Sequence, residues 1–313
     1  MKEDEHTSSG VTLSPCHPVT PSFFHGRAAV TENVLLARDT YRIRLHAPDL
    51  ARAIRPGQFL MLRLPGTTDP LLGRAFALYD TVLDGQGQAA ALDVVYLVVG
   101  KLTSCLAALR RGDAVEAWGP LGNGFPELAN LDHVGLVAGG IGQTPFLAYL
   151  RELLGQRGYG GRAARRGARH VSLYYGVRTA DLAACVDDFR AAGAAVHLAS
   201  DDGSLGFRGF VTQLLEQLAK KRSGPLESQV LTPFSHPPQH LVGCGPEPMM
   251  RVLAALAQGW GVPCHLSLET PMACGVGICF SCVTKVRVGD GWDYRRVCVD
   301  GPVFDATALA WQD

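Results

Sequence analysis

Short apolar stretches set the rhythm of the first part of the chain. Tyr41-Arg42-Ile43-Arg44-Leu45 alternates apolar and polar positions, as a strand with one buried face does. Ala28-Ala29-Val30, Phe59 to Leu64 and Leu92 to Val99 are further segments of strand length. Pro56-Gly57 and Pro65-Gly66 punctuate them as turns. Gly119-Pro120-Leu121-Gly122-Asn123-Gly124-Phe125 is dense in glycine and predicts a turn that closes the set. Regular short strands with turn residues between them predict a small antiparallel β-barrel over residues 26–127.

The pattern then changes. His133 to Ala138 is an apolar strand that runs into Gly139-Gly140-Ile141-Gly142-Gln143-Thr144-Pro145 and then into the helical composition of Phe146 to Arg151. Val171 to Gly176, Ala194 to Ala199 and His240 to Cys244 are further strands, with helix-compatible segments between them. This alternation predicts a parallel α/β domain over 128–263. A small cysteine-rich segment follows over 264–313, and residues 1–25 read as a flexible polar extension. The stretch from Leu154 to His170 is rich in Gly, Ala and Arg and predicts an exposed loop, its arginines a solvated face.

Length and composition agree with this division. The chain has 313 residues, enough for two domains and a small third. Hydrophobic residues make up 47% and charged residues 19%, which supports a buried core and excludes a largely disordered chain. Basic and acidic residues number 29 each, so no global positive field recruits nucleic acid or acidic lipid. No apolar run is long enough for a transmembrane helix, and the charged N-terminus lacks the apolar core of a secretory signal. A cytoplasmic protein with no nucleic-acid or membrane partner is expected.

Nine cysteines fit a complete disulfide set poorly. Cys16, Cys105, Cys185, Cys244 and Cys264 are scattered, as small buried hydrophobes are. Cys274, Cys279, Cys282 and Cys298 crowd the C-terminal segment, with gaps of four, two and fifteen residues. The first three match the plant-type [2Fe–2S] spacing, in which thiolates hold two irons and backbone N–H groups serve the sulfides. Gly275 and Gly277 let the loop wrap closely, and Ile278 and Phe280 are placed to exclude water. Structural zinc, which favours two short paired knuckles, and disulfides are the alternatives.

Two glycine-rich loops follow strands and open helices. The backbone N–H groups of Gly139, Gly140 and Gly142, with the Thr144 hydroxyl, suit a pyrophosphate. Packing alone also explains such a turn. Cys244-Gly245-Pro246-Glu247-Pro248-Met249 ends another strand, where open α/β sheets bind ligands. Cys244 is either a core thiol or a neighbour of the bound ring. In the first domain, Arg74 between apolar residues and the Gly100-Lys101-Leu102-Thr103 turn are candidate anion sites. The ten histidines show no ligand spacing and read as surface or capping residues, and no catalytic residue is assigned.

The order of barrel, α/β domain and four-cysteine segment resembles the ferredoxin-reductase superfamily. Within it the chain is most similar to the electron-transfer subunits of dihydroorotate dehydrogenase B, over residues 26–305. The carriers are Met272 to Cys282 and Arg296 to Phe304, with Ser267-Leu268-Glu269, Asp201-Asp202-Gly203-Ser204, Gly119 to Phe125 and Cys244 to Met249 in support. The resemblance implies a [2Fe–2S] cluster on the four cysteines and NAD in the α/β domain, with Gly139, Gly140, Gly142, Thr144, Cys244, Gly245 and Pro246 as its binding residues. It implies FAD on the barrel, with contacts at Arg74, Ala75, Phe76, Ala77, Val95, Tyr96, Leu97, Leu102 and Thr103. Two positions depart from the family pattern. Ala77 stands where the family usually has a serine, and Leu102 where it often has a glycine.

The implied activity is a relay. Single electrons pass from the FMN of a dihydroorotate dehydrogenase catalytic subunit through the cluster to FAD, and a hydride then reaches NAD+, in pyrimidine biosynthesis. The implied partner is that catalytic subunit, in a heterotetramer of two copies of each. Asp201 and Asp202 favour NAD over NADP, whereas Arg178 would attract a 2′-phosphate. Two other functions fit the same motifs. One is a related NAD(P)H reductase serving an oxygenase, a hydrogenase or a sulfur-reducing partner. The other is a zinc-stabilised nucleotide-binding regulatory module.

Overall fold

The structure is a computed structural model that describes residues 23–222 and 238–311. Cys16 and residues 1–22 of the expected N-terminal extension lie outside the described residues.

The first sheet is antiparallel and contains β1 (Phe24–Ala37), β2 (Thr40–His46), β3 (Phe59–Arg63), β4 (Arg74–Ala77), β5 (Asp80–Leu83), β6 (Ala89–Leu97) and β7 (Ala114–Leu121). Their order is β4-β3-β7-β1-β2-β6-β5, so β4 and β5 are the two edges of an open half-barrel. Its inward positions are the apolar ones of the alternating pattern, with Ile43, Leu45, Leu60, Leu62, Leu92, Val94 and Val115 all fully buried. Helix α1 (Pro48–Ala53) buries Leu50 and Ala51, and α2 (Lys101–Ala108) buries Leu102 and Leu106 in the same core. The Gly119 to Phe125 turn starts later than expected. Gly119 and Leu121 still pair in β7, opposite Phe24 and Phe59, because neither residue's ladder contact is lost to Pro120.

The second sheet holds β8 (Leu131–Gly139), β9 (Ala168–Val177), β10 (Ala195–Ser200), β11 (Phe207–Arg208), β12 (His240–Cys244), β13 (Cys264–Ser267) and β16 (Val303–Asp305), in the order β11-β10-β9-β8-β12-β13-β16. Every pairing is parallel except β13 with β16. Helices α3 (Phe146–Leu153), α4 (Val186–Ala191), α5 (Val211–Arg222) and α6 (Glu247–Trp260) connect the strands. The strand order reverses between β8 and β12, and their carboxyl ends form the crevice where such sheets bind ligands. Helix α6 begins with Pro246 before Glu247 and stops at Gly261, which takes a left-handed φ of 66°.

The C-terminal segment adds a two-stranded hairpin, β14 (Val283–Val288) with β15 (Gly291–Arg296), and then returns to the α/β sheet through β16. No helix among the described residues is long and apolar enough to cross a membrane.

Leu154 to His170 corrects the sequence expectation of an exposed loop. Tyr159 is 3% exposed, and its hydroxyl donates to Asp80 at 2.7 Å. Arg151 and Arg157 pair with the same carboxylate, and Arg162 pairs with Glu127 and Glu152. The loop clasps the half-barrel to the α/β domain. Arg157 and Arg162 are neutralised by acids outside the loop, which composition could not show, whereas Arg165, Arg166 and Arg169 are exposed as expected. The histidines also depart from expectation. His133 and His240 are buried, and His240 Nε2 lies 3.0 Å from His265 Nδ1 in a stacked pair.

Candidate functional site at the domain seam

A cleft of about 1050 Å³ runs along the junction of half-barrel and α/β domain. Gly139, Gly140 and Gly142 line it from the end of β8, and Gly245 and Pro246 line it from the end of β12. The two loops touch through backbone. A Cβ on Gly142 would lie 2.2 Å from the Cys244 carbonyl oxygen, and one on Gly245 would lie 3.0 Å from the Gly139 nitrogen. At Gly140, φ is +56° and the space beside it is open, so this glycine serves the cleft rather than packing. Close approach of the two strand ends and open N–H groups above them make a bed for a flat, anionic nucleotide.

Not all of the expected residues face this bed. Thr144 is buried below the turn, and its N–H donates to the Ile141 carbonyl. The Cys244 thiol is pushed up to about 12 by burial, with the Glu269 carboxylate adding to the shift. It is therefore a neutral thiol packed against the α/β core, next to the cleft-lining Gly245 but not itself lining the cleft. Arg178 and Asp201 both line the cleft, at the carboxyl ends of β9 and β10. Asp202 is anchored by the Ser204 hydroxyl and N–H, which hold its carboxyl below the usual range.

The expected flavin residues form a strip on the half-barrel. Arg74 is exposed at the start of edge strand β4, and Phe76 is edge-on to Tyr96 at 6.0 Å. Ala75 and Ala77 are half-buried and leave an open strand edge without bulk. Val95 points into the interdomain core and Tyr96 into the half-barrel core, while Leu97 lines the cleft. Leu102 is a core residue. The Thr103 hydroxyl accepts from the N–H groups of Val99 and Gly100, capping α2. What Val95, Tyr96, Leu102 and Thr103 present outward is therefore main chain.

The four C-terminal cysteines lie in one region as two pairs, and no three of them are arranged as a ready-made metal site among the described residues. The Cys279 thiol is within hydrogen-bond reach of Cys274, and Cys298 of Cys282, with Cys274 close enough to act on Cys298 electrostatically. All eight described cysteines are unpaired. Hydrogen bonds from Ser281 bring the Cys279 thiol down to about 6, toward the thiolate a metal requires. Burial pushes the Cys298 thiol up to about 12. Gly275 and Gly277 have φ of +74° and +83°, and their α-carbons press on Met61 and Val299, where a Cβ would clash at 2.7 and 2.5 Å. The residue types, the clustering and the tight loop fit an iron–sulfur group. The sequence reads Ser281 and Arg296 only as members of the family motif; here Ser281 bonds the Cys279 thiol and the Arg296 guanidinium reaches the Gly277 carbonyl at 3.2 Å.

The cluster loop is seated on the flavin-side sheet. Trp118 on β7 donates to the Cys274 carbonyl at 3.1 Å, and Met61, under Gly275, pairs across β3–β4 with Ala75. On its other side Ile278 and Phe280 flank the exposed Cys279 and are 80% and 63% exposed, so they do not shield the loop from water as the sequence suggested.

Comparison with known proteins bears on each part. Residues 27–125 match an oxidoreductase FAD-binding domain and residues 136–255 an oxidoreductase NAD-binding domain. Residues 269–310 match the iron–sulfur cluster binding domain of dihydroorotate dehydrogenase B. The electron transfer subunit of dihydroorotate dehydrogenase B (NAD(+)) from Desulforamulus reducens is 34% identical over 91% of this chain and 98% of its own length. The chain belongs to this family of electron-transfer subunits. The subunit from Geobacillus kaustophilus is 37% identical over 90% of this chain and 96% of its own. Among solved structures, an NADH-dependent reduced ferredoxin-NADP oxidoreductase superposes with a TM-score of 0.71 at 27% identity, covering 91% of this chain and 90% of that one. Phthalate dioxygenase reductase shares the fold, with a TM-score of 0.54 at 19% identity over 91% of this chain and 96% of that one. The chain is thus an oxidoreductase subunit with FAD-, NAD- and iron–sulfur-binding domains in one ferredoxin-reductase-like fold.

Proposed function

We propose that this subunit carries electrons between a dihydroorotate-oxidising catalytic partner that holds FMN and NAD+, in pyrimidine biosynthesis. The observation that carries the reading is the position of the cluster loop. It packs on β3 beside the flavin strand β4 and turns an exposed apolar tip, Ile278 and Phe280, outward. A flavin bound here supplies the exchange between single-electron and hydride chemistry. The chain's own residues do the rest. Arg74, Ala75, Phe76 and Ala77, with the main chain of Val95–Leu97 and Leu102–Thr103, hold the flavin. Cys274, Cys279, Cys282 and Cys298 hold the cluster. Gly139, Gly140, Gly142, Gly245 and Pro246 bed the dinucleotide, with Thr144 bracing the first loop and the neutral Cys244 thiol packed behind the second.

The acids after β10 favour NAD over NADP. Asp201 lines the cleft and Asp202 stays ionised next to it, so a 2′-phosphate there would meet like charge. The assembly expected is two copies of each subunit. Co-expression with an FMN-containing catalytic subunit tests the reading. Dihydroorotate should then drive NADH formation, and the partner alone should not. An assembled complex loaded with all its cofactors that oxidises dihydroorotate but forms no NADH would refute it.

A further inference from the structure

The half-barrel and the α/β domain do not wall the nucleotide cleft alone. Val283, Thr284 and Lys285 of β14 and Tyr294 of β15 also line it. These four residues belong to the cysteine-rich segment, and the chain joins them directly to two of its thiols. Cys282 immediately precedes β14, and Val297 alone separates β15 from Cys298. The wall of the cleft therefore begins one residue after a thiol expected to hold the cluster.

The hairpin is held chiefly at that base. The Val297 N–H donates to the Cys282 carbonyl at 2.6 Å, and the register then pairs Val283 with Arg296 and Lys285 with Tyr294. Cys282 and Cys298 are both buried there. Farther out the attachment is thin. β14 and β15 form a two-stranded sheet of their own, joined to neither large sheet. The Ala310 N–H donates to the Lys285 carbonyl at 3.0 Å, Arg287 Nε reaches the Leu309 carbonyl at 3.3 Å, and Val286 packs on the core. Val288, Trp292 and Tyr294 stay about half exposed. A two-stranded hairpin is marginal in water by itself, so whatever fixes its base matters for the whole of it.

A ligand that binds against a mobile wall spends part of its binding energy on ordering that wall. A second ligand that has already ordered it removes the cost, and the benefit is reciprocal. We propose that the β14–β15 hairpin couples the two cofactor sites: iron held by Cys282 and Cys298 at its base fixes the cleft wall and tightens NAD+ binding, and NAD+ in the cleft tightens the hold on iron. A subunit without its electron entry would then bind its acceptor less well. The proposal deepens the reading under Proposed function and rests on it, since it needs a cluster on the cysteines and NAD+ in the cleft.

The test titrates NAD+ into oxidised, flavin-loaded, full-length protein with its cluster reconstituted and again after a chelator has removed the iron, at matched flavin content. Coupling of ordinary size predicts NAD+ binding about 5–10-fold tighter with the cluster present. Lys285→Ala with Tyr294→Ala trims the wall and should shrink that ratio to below about twofold. In the loaded wild type, saturating NAD+ should slow iron release to the chelator several-fold, and the trimmed variant should lose this protection. Equal NAD+ affinity in the two states would overturn the proposal. So would a ratio undiminished in the trimmed variant, since the coupling would then bypass the hairpin. Where Tm shows that the iron-free chain does not stay folded, the release experiment decides, and a rate that NAD+ leaves unchanged overturns the proposal. Protein that takes up no iron, or loaded protein that binds no NAD+, would instead bring down the underlying reading and the proposal with it.

Discussion

The cluster loop and the interdomain clasp hold the same two domains in register by opposite means. The cluster loop is short, glycine-rich and partly exposed. Three of its four thiols lie within nine residues, from Cys274 to Cys282. The clasp is complete without any ligand. The Asp80 carboxylate is 5% exposed and takes Arg151, Arg157 and Tyr159 at once. Burial pushes its carboxyl up, against the opposing pull of both arginines. The clasp joins the domains through side chains alone, while the cysteine loop offers thiols for a group it must still bind. Metal removal should therefore silence one region and leave the other standing.

The largest effect expected is on the cluster side. Cys298→Ser should reduce iron from about two per chain to near zero. Reduction by a catalytic partner should then fall by about 10² or more, whereas NADH should still reduce the flavin. Iron analysis and stopped-flow spectra check both halves. On the clasp side, Asp80→Ala leaves two arginines and a tyrosine without their acceptor, and should cost roughly 3–5 kcal/mol. The measurement is denaturant unfolding, with iron content unchanged relative to flavin in the folded fraction.

Gly142→Ala probes the seam between these regions. Its new Cβ would sit 2.2 Å from a backbone oxygen, so the two nucleotide loops must part. Overpacking of this kind costs roughly 1–3 kcal/mol, and NAD+ affinity should weaken about tenfold, or 1.4 kcal/mol. Isothermal titration of the flavin-loaded protein reads it directly.

A pH effect sharpens the comparison away from both regions. Burial, with the neighbouring His265, lowers His240 to about 4, and burial lowers His265 as well. Both stay neutral when folded at a pH where the unfolded chain would protonate them. Their contribution is fully present above about pH 6.5 and is lost as pH falls toward 4. The loss is on the order of 2–3 kcal/mol for His240, and His240→Gln should flatten the fall in Tm over that window. The smallest effect on the fold is expected from Ile278→Ser with Phe280→Ser. Both side chains are exposed, so stability should change by no more than about 0.5 kcal/mol, while affinity for the catalytic partner drops.

These regions were not equally legible in the sequence. The cysteine spacing carries chemistry locally, and so does a strand running into glycines before a helix. The parallel order of the α/β strands followed from that alternation. The clasp was invisible, because Asp80 and Arg157 are 77 residues apart and only folding shows that they meet. Edge strands β4 and β5 have four residues each, too few for a period to emerge. The β14–β15 hairpin was missed because its outer face keeps Trp292 and Tyr294 exposed, which blurs the alternation. At the flavin strip the residue types were named from resemblance, but only the fold shows that Thr103 is a helix cap and Leu102 a core residue. Gln143 was read only as part of a glycine turn, since sequence gives no sign that its amide is buried and unmet.

Four cysteines and the two flanking domains are arranged as one redox chain. Stepwise anaerobic titration of the purified subunit with NADH, followed by visible absorption and electron paramagnetic resonance, tests it most directly. About two irons and one FAD per chain are expected, with flavin bands bleaching and a reduced [2Fe–2S] signal growing as NADH is added. A colourless protein that carries one zinc, and that stays colourless after reconstitution with iron and sulfide, would contradict it.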